Sequence, residues 1–113
     1  LNNFFQEQSL VFKNKSALLN ALKLMKSSDS LYIDCPKAIM LYCKDKNLID
    51  TINLDSLSFI EKIKGKVKSK DLIVVESILS ECSQYNYADI STKNSMKIQQ
   101  KTIKILNKIN SYV

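Results

Sequence analysis

Apolar residues recur every three or four positions along most of the chain, which is the period of an amphipathic helix. The longest clean run of this kind lies between residues 69 and 84, and serines and glutamates occupy its opposite side. We therefore expect one long helix here, with an apolar face turned toward a core. The predicted members of that face are Leu72, Val75, Leu79 and Cys82, widened by Ile73 and Ile78.

A tight helical corner precedes this long helix. Gly65 is the only glycine in the chain and follows an apolar helical run, so we expect it to end that run with a positive φ angle. Ser69 has the side chain of a good N-cap, and Asp71 places negative charge in the first turn, where the helix dipole favours it. The pattern therefore predicts that the next helix starts at Ser69.

Three more helical patterns lie before this corner. The first starts at Ser16. The second has Pro36 in its first or second turn, where proline is tolerated, unless the helix instead starts after Asp34 as N-cap. The third is capped by Asn53 or Asp55. The predicted inward residues are Leu18, Ala21, Leu22 and Met25 in the first helix, Leu31, Cys35, Ala38, Ile39 and Tyr42 in the second (about residues 31–45), and Leu57, Ile60 and Ile63 in the third.

The last helical pattern is capped by Asn94 or Ser95 and follows a polar loop predicted at residues 89–94. Residues 46–53 form a predicted connection whose apolar side chains tuck against the core. Residues 1–15 fit either a short helix or a lead-in, and their pattern does not decide between the two. The apolar stripe of the last helix consists of Ile98, Thr102, Ile105, Leu106, Ile109 and Tyr112.

Together these patterns predict an all-α fold, a compact bundle of four to five helices with short loops. One glycine and one proline among 113 residues are too few for an all-β fold, which needs turn residues at short intervals. The length fits a single helical domain over residues 1–113 and is sufficient for one hydrophobic core.

The net charge is +6, and all 17 basic residues are lysines. This is either a compositional bias or a basic surface for nucleic acid or anionic lipid. The absence of arginine argues against base-specific recognition, because arginine supplies the bidentate contact to guanine. Lysine alternates with other residues from Lys62 to Lys70, which is either a solvated rim or a landing site for an anionic partner. Within this corner, Lys66, Lys68 and Lys70 are candidate partner contacts.

The usual groups of catalytic sites are scarce in this sequence. It has no histidine and no glycine-rich loop for phosphate, so we expect no enzymatic activity, no cofactor and no small-molecule substrate. Cys35, Cys43 and Cys82 are too few for a structural zinc site, which takes four ligands. Cys35 and Cys43 would lie about 12 Å apart on one helix, too far for a disulfide. We expect buried thiols; the alternative is a redox-sensing thiol.

Two runs of residues stand out as motifs, namely Leu31-Tyr32 … Ala38 … Leu41-Tyr42-Cys43-Lys44-Asp45-Lys46 and Gly65 … Val67 … Leu72-Ile73 … Ile78-Leu79 … Cys82 … Tyr85 … Tyr87-Ala88. These runs resemble the C-terminal cytoplasmic region of the BatD-type aerotolerance proteins. The order and spacing agree from about Leu18 to Ile109, and the Ser95-Met96 pair opens the last helix as in the family. Pro36 interrupts the first run, and Ser83, Asn86 and Asp89 also depart from the family pattern.

The resemblance implies a domain at the cytoplasmic face of the inner membrane, belonging to a longer membrane-anchored chain. It also implies protein partners in a membrane-associated complex, namely von Willebrand-factor-A-type Bat proteins and a MoxR-type ATPase, with a role in stress or oxygen tolerance or envelope maintenance. The sequence itself shows no membrane span and no signal peptide, and it begins at Leu1 rather than methionine. We therefore expect a soluble fragment of a longer protein.

Two functional hypotheses follow. The first is a non-enzymatic cytoplasmic protein-interaction domain. The alternative is a basic helical nucleic-acid-binding module that uses the Lys62–Lys70 corner and would bind in a salt-sensitive way. Contact with an anionic membrane is a third possibility for the same lysines.

Tyr85 and Tyr87 follow the long helix, and each can either plug a gap between helices or anchor a partner. We expect Tyr87, next to small Ala88, to fold back over the helix end, and Tyr85 to be the exposed contact. Tyr87→Ala should therefore lower the free energy of unfolding by about 3 kcal/mol or more, whereas Tyr85→Ala should leave it nearly unchanged. Chemical denaturation of both variants tests this, and the reverse order of losses would contradict it.

Overall fold

The computed structural model describes residues 16–85 and 92–113. Over these residues the chain forms five helices and no β-strand, apart from an isolated bridge between Lys64 and Val67, which confirms the predicted all-α bundle. The helices are α1 over 16–26, α2 over Leu31–Asp45, α3 over Ser56–Ile63, α4 over Ser69–Tyr85 and α5 over Thr92–Asn110. The prediction for residues 1–15 lies outside the described residues.

The centre of the bundle consists of α2, α4 and α5, each of which packs against the other two, while α3 packs against α4. Most of the predicted inward residues are buried in one cluster. From these three helices its members include Cys35, Ala38, Ile39, Tyr42, Val75, Ile78, Leu79, Cys82, Ile98, Ile105, Leu106 and Ile109. Leu72 lies at the edge of this cluster and is half-buried. In α1, Ala21 and Met25 are buried as expected, and Ala17 joins them.

Helix α2 has the predicted bounds and begins after Ser30, not after Asp34, which lies in its first turn. Pro36 is inside the helix, in its second turn. Because proline has no amide hydrogen, residue 36 cannot donate to the carbonyl of Tyr32 as other helical residues would. The burial of seven α2 residues around this position shows that packing, rather than local propensity, carries the helix through the proline.

Helix α3 buries Ile63 as predicted and packs Ile60 against the core, but it does not bury Leu57. Asp55 caps it as expected, since its carboxylate accepts a 2.7 Å hydrogen bond from the amide of Ser58. Leu57, however, is 77% exposed, and Phe59 is completely buried in its place together with Ile63. A helix of only two turns offers no long stripe to fix its rotation, and burying the larger aromatic ring removes more apolar surface from water than burying Leu57 would.

The corner after α3 confirms the role predicted for Gly65, which has a φ of +86°. The preceding Lys64 has φ −59° and ψ 129°, and the amide of Lys66 donates to the carbonyl of Ile63 at 3.0 Å. These values define a type II turn, which requires a positive φ at its third residue. Ser69 is the first residue of α4 rather than its N-cap.

Lys68 takes the N-cap position instead, because its carbonyl accepts the first helical hydrogen bonds of α4, from Asp71 and Leu72. Ile73 is 66% exposed, so its predicted place on the apolar face is wrong. At about 100° per residue, Ile73 lies well outside the arc that contains Val75 and Leu79.

Helix α5 begins at Thr92, so neither Asn94 nor Ser95 caps it, and residues 92–94 of the predicted loop belong to the helix. Residues 86–91 lie outside the described residues. The predicted stripe of α5 is buried from Ile98 to Ile109, whereas Tyr112 lies beyond the helix end and is half-buried.

Substitutions on α3 can test whether Phe59 or Leu57 is the residue buried in the core. Phe59→Ala should lower the free energy of unfolding by about 3–5 kcal/mol, because it leaves a cavity in the core. Leu57→Ala should change it by less than about 0.5 kcal/mol, because most of the side chain is already in water. Urea denaturation monitored by circular dichroism measures both values, and a larger loss for Leu57→Ala would restore the face expected from the sequence.

Candidate interaction surfaces

The most unusual polar group among the described residues is Asp71, which has no solvent exposure although it is an aspartate. Its Oδ2 atom accepts a 2.7 Å hydrogen bond from the hydroxyl of Tyr112. Its Oδ1 atom lies 3.3 Å from the ammonium of Lys108. Both partners belong to the C-terminal part of the chain, so this cluster joins the first turn of α4 to the end of α5.

The pKa of Asp71 reflects this balance. Burial raises the pKa of its carboxyl, but the Tyr112 hydroxyl and the Lys108 ammonium lower it by more, so the net pKa lies below its ordinary value of 3.8. The pKa of Tyr112 is raised, first by burial and then by its hydrogen bond to the carboxylate. Asp71 therefore has a structural role as a charged residue, because it attaches Lys108 and Tyr112 to the first turn of α4.

The sequence contains a signal for the burial of Asp71. Asp71 precedes Val75 by four residues and Ile78 by seven, which places it within the apolar arc of α4 rather than on its polar side. A carboxylate at the centre of a buried face needs a cation or donor nearby. The pattern could not name Lys108 and Tyr112, because both are distant in the sequence.

Tyr112 also engages the helical corner. Its hydroxyl accepts a 3.1 Å hydrogen bond from the amide of Lys68, and the Lys68 ammonium lies 4.6 Å from the centre of its ring. Lys66 in turn donates from Nζ to the carbonyl of Leu48 at 2.8 Å. All the lysines of the Lys62–Lys70 corner are exposed. Two of the three candidate contacts are therefore engaged within the fold: Lys66 binds the segment between α2 and α3, and Lys68 binds Tyr112. The positive charge of the third, Lys70, lowers the pKa of Asp71.

The three thiols are free and buried. Burial raises the pKa of Cys43 to about 12 and the pKa of Cys82 to about 12, and it raises the pKa of Cys35 as well. A thiol of raised pKa is a weak nucleophile at neutral pH, because little thiolate is present. This favours the interpretation of the cysteines as small core residues, and Cys82 points inward as predicted.

A surface groove runs between α2, α3 and α4. It consists of two hollows, of about 430 and 240 Å³, that share Ser56, Leu79 and Ser83 in their walls. Exposed Leu57 borders the larger hollow, and Ile33, 42% exposed, borders the smaller one. We call this surface the α2–α3–α4 groove. It combines an apolar floor with a rim of uncharged polar residues and Glu76.

A second groove of about 260 Å³ lies between α4 and α5. Its apolar residues are Val74 and Ile105, and the remaining lining residues are Lys101, Lys104 and Lys108. We call this surface the basic groove. The helices on its two sides are antiparallel, because Asp71 pairs with Lys108 near one end while Glu81 pairs with Lys101 further along.

Two of the predicted site residues lie partly or wholly outside this description. Tyr85 is the last residue of α4, and its side chain is not among the described ones. Tyr87 lies outside the described residues, so the roles assigned to both tyrosines stay predictions. Gln84, directly before Tyr85, lines the α2–α3–α4 groove.

Over residues 16–85 and 92–113, no group of three or more histidine, cysteine, aspartate or glutamate side chains is placed to hold a metal ion. In the same part of the chain, no helix has the length and apolar character needed to cross a membrane. No protein-family model matches the sequence, and no curated protein or solved structure is significantly similar to it.

The lowered pKa of Asp71 gives stability a defined pH dependence. A group whose pKa is lower in the folded state stabilises the fold above its unfolded pKa, and this contribution is lost as the pH falls through the folded pKa. Asp71→Asn should therefore reduce the loss of stability of the chain below about pH 4. Tyr112→Phe should cost about 1–2 kcal/mol at neutral pH, because the carboxylate loses a donor.

Urea midpoints measured between pH 2 and pH 7 test this expectation. Asp50→Asn removes an exposed carboxylate and serves as the control. If Asp50→Asn reduces the loss of stability at low pH as much as Asp71→Asn does, the pH dependence does not come from the buried cluster around Asp71.

Proposed function

We propose that this chain is a non-enzymatic protein-interaction domain that docks partner proteins through the α2–α3–α4 groove. The observation that carries the proposal is Leu57, a leucine with 77% of its surface in water at the border of an apolar hollow. Exposed apolar side chains beside a concave surface are typical of protein contact sites. Ile33 extends the same apolar border onto α2.

The lining of the groove favours a protein over a nucleic acid as its occupant. Its walls are contributed by leucine, isoleucine, serine and glutamine side chains, and its one ionisable wall residue in the larger hollow is Glu76. Phosphate groups would be repelled by this carboxylate, whereas an apolar side chain of a partner could fill the hollow over Leu79.

The finer part of the proposal concerns the family. The resemblance of residues 31–46 and 65–88 to BatD-type aerotolerance proteins supports a place in a membrane-anchored chain, with the domain on the cytoplasmic face of the inner membrane. On this proposal the partners are von Willebrand-factor-A-type Bat proteins and a MoxR-type ATPase. The encoding gene offers a direct check: a transmembrane segment upstream of residue 1 would support this placement, and a soluble upstream domain without one would contradict it.

Binding measurements on the 113-residue chain test the interaction. Purified Bat-type and MoxR-type proteins of the same organism are offered to immobilised wild type, Leu57→Glu and Leu19→Glu. Leu57→Glu should weaken binding about tenfold or more, because it places a carboxylate over the apolar hollow. Leu19 is 58% exposed on α1 and does not line the groove, so Leu19→Glu is a matched control. Equal losses in both variants, or no binding to either protein, would contradict the proposal.

The alternative function, nucleic-acid binding at the Lys62–Lys70 corner, is favoured by the exposure of all five of its lysines. It requires binding to duplex DNA or RNA that falls steeply with salt. Absence of binding at low ionic strength would remove this alternative.

A further inference from the structure

The outer face of α5 carries a stripe of lysines. Lys97, Lys101, Lys104 and Lys108 follow one another at spacings of four, three and four residues. At about 100° per residue these positions fall within an arc of roughly 60°, so the four side chains leave the helix on one side. All four residues are exposed.

This stripe borders the basic groove, whose apolar residues come from both helices. Ile105 is buried at its base, and Val74 on α4 is 38% exposed. The surface therefore places a row of positive charge directly beside the accessible aliphatic side chain of Val74.

The ion pairs within the fold leave much of the positive charge of the lysine stripe free to contact another molecule. Lys101 pairs with Glu81 and Lys108 pairs with the buried Asp71. The ion pairs found among residues 16–85 and 92–113 do not involve Lys97 or Lys104. The side chains of Lys101 and Lys108 are still about half exposed, at 56% and 49%, so they can also approach a second carboxylate.

We propose that the basic groove binds an acidic amphipathic helix of a partner protein. Charge complementarity with the lysine stripe selects glutamates or aspartates, and the apolar residues of the groove, Val74 and Ile105, select leucine-like side chains beside them. The stripe from Lys97 to Lys108 is about 16 Å long, which matches about three turns of a helix. Its spacing reads the same in both directions, so carboxylates at the same spacing can face it in a parallel or an antiparallel helix.

A protein helix fits these features better than a nucleic acid or a membrane. Phosphate backbones make no use of the apolar residues Val74 and Ile105, and no aromatic side chain lines the groove for a base to stack on. The surface is also a groove between two helices rather than a protruding apolar face that could insert into lipid. This binding surface is separate from the α2–α3–α4 groove and does not depend on the function proposed for it.

The test uses the 113-residue chain and a fluorescent helical peptide of about 15 residues. Its glutamates repeat at spacings of four, three and four, and its leucines occupy the adjacent face. One control peptide has the same composition with the leucines moved off that face. Anisotropy titrations in low and high salt compare wild type with Lys104→Glu, Val74→Ser and Lys62→Glu, which makes the same charge change on an exposed lysine of α3.

We expect Lys104→Glu to weaken peptide binding about tenfold or more, because an attraction becomes a repulsion at short range. Val74→Ser should weaken it less, and both Lys62→Glu and Leu57→Glu should leave it nearly unchanged. Circular dichroism confirms that each variant is folded. Equal weakening by Lys104→Glu and Lys62→Glu, or equal affinity for the control peptide, would overturn the proposal. Displacement of the peptide by duplex DNA or by phosphatidylglycerol vesicles at lower concentrations than unlabelled peptide would overturn it as well.

Discussion

The contact between the first turn of α4 and the residues at the end of α5 is built around one buried charge, the carboxylate of Asp71. A carboxylate without solvent exposure costs several kcal/mol unless cations and donors surround it, so the fold must bring partners to it. Lys108 and Tyr112 supply them from the far end of the chain. These contacts hold Tyr112 against the corner before α4, where its hydroxyl also accepts a hydrogen bond from the amide of Lys68.

The same cluster shapes the surfaces that remain free for partners. Lys68 is drawn over the Tyr112 ring, and Lys108 is drawn toward Asp71 while half of its side chain stays in water. Lysines that the sequence alone does not distinguish therefore differ in how far their charge is already engaged within the fold. In the Lys62–Lys70 corner, Lys66 and Lys68 contact Leu48 and Tyr112. The lysines of α5, in contrast, keep positive charge beside the partly exposed side chain of Val74.

Burial also explains the distribution of apolar side chains on α3. Phe59 enters the core because a short helix can rotate toward its largest apolar group, and Leu57 is consequently carried to the border of the α2–α3–α4 groove. The exposure of Leu57 is therefore a consequence of the burial of Phe59 in the core. Leu57 lies beside the larger hollow of the groove, with most of its side chain in water.

The sequence by itself determined the presence of the helices, the end of α2 and the turn at Gly65, because these follow from local periodicity and from the φ angle that glycine permits. It also identified most of the core, including Val75 and Ile98. Only the tertiary structure decided that Lys108 and Tyr112 are the partners of Asp71, that Phe59 replaces Leu57 and that the α5 lysines lie along a groove. Each of these depends on contacts between residues far apart in the chain, and periodicity within one helix carries no information about what packs against it.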